Sequence, residues 1–591
     1  MIDLRNSFGS MRPGETLARS QALRRTWPVV LDLLVAIIGL AFFYGVVRIG
    51  HYWFGHPTPA IEISLSPRAL PLYAFYSVVR IGLAYFLSLA FAIAYGYTAA
   101  YSKRFEALML AVLDILQSIP VLSFLPGVML AMVALFPTRQ IGVELGAILL
   151  IFTGAVWNMA FSFYSSLRSI PKELREATEI YSFSRLQRLL QLELPYAAIG
   201  LIWNSIMSVA GAWFFLMACE MFVLGPRDFR LPGLGSYLQT AASVGDGHAI
   251  TWGLTTMVAI IVLTDQLVWR PVIAWSDRFK FEQVEGIARV RSPLLHLVQN
   301  SRVLQHLSGA TTSRLEERHY RAVARRRQNR IALAGKGEVP ARHPASFIFR
   351  ICLGVLLLIG VLTLAAHAFG LLRTIRLYQV LNILKGAAAT FLRVNIALLL
   401  ASLWTIPVGV AIGFQPKLAR IAQPLAQIAA SVPATALFPV LLLALIRFGG
   451  GMGIGSIALM LLGTQWYILF NVIAGAMAIP SDLKEVATLF HFTRWQRWRT
   501  VILPGIFPFL VTGLVTASGG AWNASIVAEY FPLKNQILQT TGLGNQISVA
   551  TAAGEFQILL LATMVMALMV VTINRLVWRP LFRLAETRYR L

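Results

Sequence analysis

A chain of 591 residues, 57% hydrophobic and only 13% charged, carries more apolar surface than a soluble globule can bury, and it is read as an integral membrane protein. Its net charge of +25, from 51 basic and 26 acidic residues, does not indicate nucleic acid, because such a binder needs a soluble basic face and here the positive charge gathers in loops and tails. The two cysteines, Cys219 and Cys352, support neither a disulfide framework nor a metal site.

A helix needs about 20 apolar residues to cross roughly 30 Å of hydrocarbon. In chain order, spans are predicted at 28–49, 72–100, 106–135, 141–166, 196–223 and 247–272, then at 346–371, 385–413, 421–447, 452–477, 505–531 and 555–581. The fold class is therefore all-α integral membrane, two tandem six-helix units with about 12 transmembrane helices. A tail (1–27) precedes the first unit (28–275), a basic linker (276–344) leads to the second (345–582), and a short tail (583–591) follows. The first apolar run is read as a span and not a cleavable signal peptide, since it exceeds 20 residues and no small-residue cleavage site follows it. The linker holds 14 Lys and Arg against six Asp and Glu, and both tails are basic. The positive-inside rule puts all three in the cytoplasm, which an even number of intervening spans permits. The linker then reads as a basic tether at the anionic inner leaflet.

The two units are copies. The stretch "IPKELREATEIYSFSRLQRLLQLELP" at 170–195 returns as "IPSDLKEVATLFHFTRWQRWRTVILP" at 479–504, with ten of 26 positions identical. At the same spacing of 309, "GAW" (211–213), Glu220, "GLG" (233–235) and "LVWRP" (267–271) recur at 520–522, Glu529, 542–544 and 576–580. Upstream the spacing is 313 and pairs Arg80 with Arg393, Gly96 with Gly409, Pro120 with Pro433 and Pro126 with Pro439, so the first unit has gained four residues between Pro126 and Trp157. An even number of spans inserts both copies the same way up, which predicts a parallel pseudo-twofold repeat with a pathway between the halves.

The repeated insert follows the fourth span of each unit. Leu174, Ala177, Thr178 and Tyr181, like Leu483, Val486, Ala487 and Phe490, fall on one helical face. Pro171 and Pro480 suit a helix start, and Glu173, Glu176 and Asp482 lie near its positive end. Each insert reads as a short amphipathic helix, a bend, and a basic segment, Phe183 to Arg188 or Phe492 to Arg497, entering the fifth span. An apolar face on a cytoplasmic loop has to pack on the bilayer surface or on a partner protein.

These inserts resemble the "EAA" loop in permease subunits of bacterial ATP-binding-cassette importers. The second unit carries more of the pattern: residues 431–456, 503–529 and "TGLGNQI" at 541–547 resemble the nitrate, sulfonate, taurine and bicarbonate branch. The resemblance implies a type I importer permease in a bacterial inner membrane, a small anion as cargo, and an outer substrate-binding protein that delivers it. It also implies two ABC ATPase subunits on the cytoplasmic side; ATP and Mg belong to those subunits, with no cofactor and no enzymatic site in this chain. By the same resemblance Glu176, Ala177, Phe183, Arg185, Gln187 and Arg188 couple to one ATPase, and Glu485, Val486, Phe492, Arg494, Gln496 and Arg497 to the other. The alternative reading of the arginines is ordinary positive-inside retention. The family loop usually turns on a glycine with positive φ, where this chain has Ser182 and His491.

Ionisable residues at membrane depth are costly unless paired. Arg80 with Glu220, and Arg393 with Glu529, are therefore predicted to be structural ion pairs and not substrate ligands. Asn158, Asn204, Ser208, Gln465, Thr512, Thr516 and Asn523 are the candidate translocation pathway, able to pass a small anion without holding it tightly. The same residue types also serve as glue between helices. No Gly-x-x-x-x-Gly-Lys-Ser/Thr occurs, so energy comes from another chain or from an ion gradient. A gradient-driven secondary transporter with two six-helix halves is accordingly the alternative; it would need membrane-embedded proton or sodium ligands. A membrane enzyme would need converging reactive groups, and the nine histidines are scattered.

Overall fold

A computed structural model describes residues 62–102, 104–181, 183–224, 227–276, 370–533 and 536–588, with single positions at 53, 359, 363 and 366. The predicted first tail and first span, the linker after Ser276, most of the span at 346–371, Ser182 and Cys352 lie outside the described residues. The chain divides into two compact units, of which the smaller includes the helix Arg270–Ser276. The larger unit takes in Tyr52–Trp269 and Ala368–Leu591, and so holds most of both copies.

In the first copy the helices are α1 (Leu70–Tyr101), α2 (Glu106–Ser118), α3 (Leu125–Leu135), α4 (Ile141–Ser169), α5 (Lys172–Ile180), α6 (Leu194–Glu220), α7 (Leu234–Val244) and α8 (Gly247–Thr264). The second copy repeats them as α9 (Leu377–Phe414), α10 (Pro416–Ser431), α11 (Ala434–Arg447), α12 (Met452–Ala478), α13 (Ser481–Leu489), α14 (Leu503–Ala528), α15 (Leu543–Ala553) and α16 (Phe556–Ile573). Among the described residues eight helical stretches are long and apolar enough to cross a membrane, four from each copy. Two antiparallel hairpins are small exceptions to an all-α chain. Val223–Leu224 pairs with Arg227–Asp228, and Tyr530–Leu533 pairs with Gln536–Gln539.

The predicted continuous spans at 106–135 and 421–447 are both broken. The helices α2 and α10 stop just short of Pro120 and Pro433, whose rings exclude the preceding residue from helical ψ. Ile119 and Val432 accordingly sit at ψ 128° and 118°. The chain then restarts as a 3₁₀ turn and α3 in the first copy, and as α11 in the second, where the bend measures 85°.

In each copy the first, fourth and sixth helices pack together, and small residues set how closely. A Cβ on Gly96 of α1 would fall 2.9 Å from the Phe163 ring of α4, and one on Gly409 of α9 would fall 2.8 Å from Val472 of α12. Both contacts recur at the repeat spacing, so the glycines keep a backbone approach that a methyl group would block. Around the first of them, Ala92, Met159, Phe163, Leu167, Ala197 and Leu201 form a buried cluster.

Four single π-helical turns also come in repeat pairs, Leu189–Glu193 with Trp498–Ile502, and Asp265–Trp269 with Asn574–Trp578. Pro195, Pro271, Pro504 and Pro580 stand two residues beyond them. A proline supplies no N–H to the turn before it, and a widened turn accommodates the missing bond.

Candidate functional site

Two charged clusters tie the helices together. In the first copy the Arg80 guanidinium makes a two-pronged contact with Glu144, Nε to Oε2 at 2.6 Å and Nη2 to Oε1 at 2.7 Å. Its Nη1 donates to Glu220 Oε1 at 2.7 Å and to the Pro232 carbonyl at 2.9 Å. Glu220 also accepts from Ser77 Oγ at 2.6 Å and from the Gly235 N–H at 2.7 Å, so the carboxylate caps the start of α7. The second copy repeats the plan. Arg393 Nη1 donates to Glu529 Oε1 at 2.9 Å, Thr390 replaces Ser77, and the N–H groups of Gly544 and Asn545 cap α15 against Glu529.

The glycines of "GLG" follow from this geometry: a Cβ on Gly233 would lie 2.2 Å from the Glu220 carboxyl, and one on Gly542 2.0 Å from that of Glu529. Arg80, Glu144, Glu220 and Glu529 are at most 1% exposed, which makes them a scaffold closed to a passing solute. Sequence reading missed Ser77, Thr390 and Glu144. The first two share the spacing of 313 with the arginines and were open to the same test. Glu144 falls where the copies lose register and has no mate; in the second copy Thr540 Oγ1 takes the free Arg393 Nη2 at 3.0 Å.

The polar pathway candidates divide. Asn158, Ser208, Thr516 and Asn523 line one cavity of about 220 Å³, together with Gln117, Tyr467, Asn574 and the indoles of Trp157 and Trp578. Sequence reading did not bring these last five to the site. The other three candidates lie elsewhere. The Asn204 amide donates to the Gly200 carbonyl of its own helix at 2.9 Å, the Thr512 hydroxyl to Pro508 at 3.0 Å, and buried Gln465 lines neither this cavity nor its neighbour. For the first two, local hydrogen bonding satisfies groups expected in a pathway.

The neighbouring cavity, about 470 Å³, is mainly apolar, with Trp203, Phe214, Trp466 and Phe470 in its wall and Gln423, Gln427, Ser431 and Asn523 among its polar residues. Both cavities border Gly211 and Gly520, the repeated glycines of "GAW", and both border Tyr467 and Asn523. Tyr467 occupies the repeat position of Asn158, so an aromatic ring replaces an amide at the junction. Asn523 binds across the copies, its Oδ1 accepting from the Leu122 N–H at 3.4 Å. Among the described residues no group of His, Cys, Asp and Glu could hold a metal ion.

The repeated inserts form α5 and α13, each followed by one helical turn, Arg185–Arg188 or Arg494–Arg497. The expected outward apolar face is partly wrong. In the first insert Leu174 packs on the chain's own buried cluster and Thr178 is buried, while the uncovered apolar groups gather at the tip. Ile180 and Tyr181 are 80% and 76% exposed, and in the second insert Leu489, Phe490 and Trp495 are 75%, 72% and 71% exposed. Phe490 keeps the predicted outward direction and Ala487 does not.

Glu176, Arg185, Glu485, Val486, Arg494 and Gln496 are exposed, while Ala177, Phe183 and Phe492 are half-buried. Gln187 and Gln496, both expected to meet a partner, have a local task. Each side chain accepts from the backbone N–H of Ser184 or Thr493, at 2.9 and 2.8 Å, while that residue's hydroxyl caps the turn in return. Arg188 also points inward, its Nε 2.9 Å from Glu193 Oε1 and its guanidinium over the Tyr101 ring. In the second copy the corresponding residues are Ile502 and Phe414, and among the described residues Arg497 has no such anchor. At the bend His491 adopts φ 51°, the left-handed conformation usually given to glycine, and the Phe492 N–H closes on Ala487 at 3.0 Å.

Comparison with known proteins matches this architecture. The family model described as "Binding-protein-dependent transport system inner membrane component" matches twice, at residues 88–268 and 405–579. The taurine transport system permease protein TauC of Escherichia coli strain K12 is 32% identical over 169 residues, which is 29% of this chain and 57% of that protein. A nitrate import permease protein NrtB of Leptolyngbya laminosa is 28% identical over 190 residues, 32% of this chain and 64% of the relative. A bicarbonate transport system permease protein CmpB of Synechococcus elongatus is 30% identical over 141 residues, 24% of this chain and 49% of the relative. The matches thus span between about half and two thirds of these relatives. With two copies of the family unit covering more than half of its length, this chain belongs to the binding-protein-dependent transport system inner membrane components.

Proposed function

We propose that the chain is a fused double permease of an ATP-driven importer and translocates a small anion delivered by an outer binding protein. The observation that carries this reading is the pair of inserts at 170–195 and 479–504, each ending in uncovered apolar residues beside exposed charge. Two ATPase subunits on the cytoplasmic side would seat these tips, and their approach on binding ATP would rock the halves between inward-open and outward-open states. ATP and Mg would be held by those subunits, and the chain itself would carry out no chemistry. Taurine, nitrate and bicarbonate in the relatives' names support an anionic cargo.

The test is reconstitution of the intact assembly. Replacing Glu176 and Glu485 together by alanine is expected to reduce ATPase stimulation by the loaded binding protein severalfold, with the ATPases still attached. Unchanged stimulation would remove these carboxylates from coupling. Uptake driven by an ion gradient without nucleotide would overturn the reading in favour of a secondary transporter.

A further inference from the structure

We infer that the two cavities between the copies form one amphipathic passage, and that its cargo is an organic anion with a ring-sized apolar body, not a compact inorganic ion such as nitrate or bicarbonate. The inference deepens the importer reading and rests on it for the cargo's charge; the body is read from the walls. Met207, Gly211, Phe215, Tyr467, Gly520 and Asn523 border both cavities, so the two spaces adjoin. Each is walled chiefly by helices of opposite copies. The larger sets α6 against α10 and α12 of the second copy, and the smaller sets α14 against α2 and α4 of the first. The two are therefore repeat mates, placed about the line where the halves meet.

The mates differ in polarity. On α6 the larger cavity meets Trp203, Met207 and Phe214, and the repeat positions on α14 are Thr512, Thr516 and Asn523. On α12 it meets Tyr467, Ile473 and Met477, where α4 has Asn158, Tyr164 and Arg168. Asn158, Thr516 and Asn523 in turn line the smaller cavity. One side of the passage is thus aromatic and apolar, and the other is polar.

A compact oxyanion beside apolar walls loses hydrogen bonds to water and gains none, so the larger cavity disfavours it. The volume of about 470 Å³ corresponds to roughly sixteen waters at about 30 Å³ each, far more than such an ion fills. An organic body gains by burial against Trp203, Phe214, Trp466 and Phe470, and aromatic faces suit a flat ring. A mostly apolar lining with a few polar groups is the usual form of a site for an organic ligand. A lipid chain would bury apolar surface equally well but has no use for the polar cavity alongside, whereas a ring with a polar head uses both. Among the described residues neither wall carries Asp, Glu, Lys, Arg or His, so no fixed charge grips the head of a solute that has to leave again.

The test uses the purified full-length chain in nanodiscs, with 2-naphthalenesulfonate as the probe, measured by equilibrium dialysis against empty nanodiscs of the same lipid. Saturable binding of one probe per chain is expected, undisturbed by about a hundredfold excess of nitrate or bicarbonate. Trp203→Thr with Met207→Thr, which gives α6 the residues of α14, should weaken it at least about tenfold. Trp203→Phe with Met207→Leu keeps that wall apolar and should weaken it less than about threefold, which separates loss of the wall from loss of the fold. Asn158→Leu, on the polar side, should weaken it severalfold. Displacement by nitrate or bicarbonate, indifference to the first pair of substitutions, or uptake no greater than that of empty nanodiscs, the result expected if acyl chains fill the cavity, would each overturn the proposal. Copurification of an ATPase with the wild-type chain tests the importer reading separately: an ATPase without probe binding would remove the cargo class alone, and probe binding without an ATPase would remove the importer reading alone.

Discussion

At the scale of single residues, the two arginine clusters share a plan but not a charge balance. Removing Arg80 leaves Glu144 and Glu220 buried without a cation, whereas removing Arg393 leaves only Glu529, which keeps Thr390 and two backbone donors. Breaking a buried pair by deleting one partner typically costs about 3–5 kcal/mol. Arg80→Ala is therefore expected to lower the melting temperature in detergent distinctly more than Arg393→Ala, and equal shifts would refute the added role of Glu144. The partners Arg80 and Glu220 were legible because their spacing repeats in Arg393 and Glu529. Glu144 was not, since it stands in the stretch where the copies differ in length. The tryptophans bordering the cavity were hidden for another reason: a tryptophan within a greasy helix reads as packing or lipid contact until the neighbouring helices are in place.

At the scale of elements, hydropathy located most helices but not their interruptions. Residues 106–135 and 421–447 are apolar on both sides of Pro120 and Pro433, so a window average runs through breaks that only the residue before each proline discloses. The inserts were more legible, because helical periodicity survives in a short polar segment; which apolar groups turn inward depended on the core beneath them. The bend after α13 departs from the usual residue while keeping its conformation. A left-handed conformation costs a non-glycine residue about 1–2 kcal/mol, so His491→Gly is expected to raise the melting temperature of the chain slightly. A lower melting temperature would mean that the imidazole makes a compensating contact.

At the scale of the whole molecule, internal duplication has produced related halves whose inserts are anchored differently. The first insert is fastened to the membrane helices through Glu193, Arg188 and Tyr101, while Ile502 and Phe414 leave the second without that fastening. Arg188→Ala should therefore chiefly lower thermal stability by stranding buried Glu193, and Arg497→Ala should chiefly weaken ATPase attachment, as read by copurification at increasing salt. The reverse assignment would show that the anchor has no bearing on docking. The overall repeat was plain in the sequence; this difference in anchoring was not, because it depends on which side chains face each other across helices with no shared numbering. The paired π turns carry a last consequence. Those before Pro195 and Pro504 each take up one residue more than regular winding would, and winding the same residues regularly would swing the remainder of the helix by about 100°. Glu220 or Glu529 would then point away from its arginine, so these loose coils set the azimuth of everything beyond them, as an offset cut into a key determines which pins it meets.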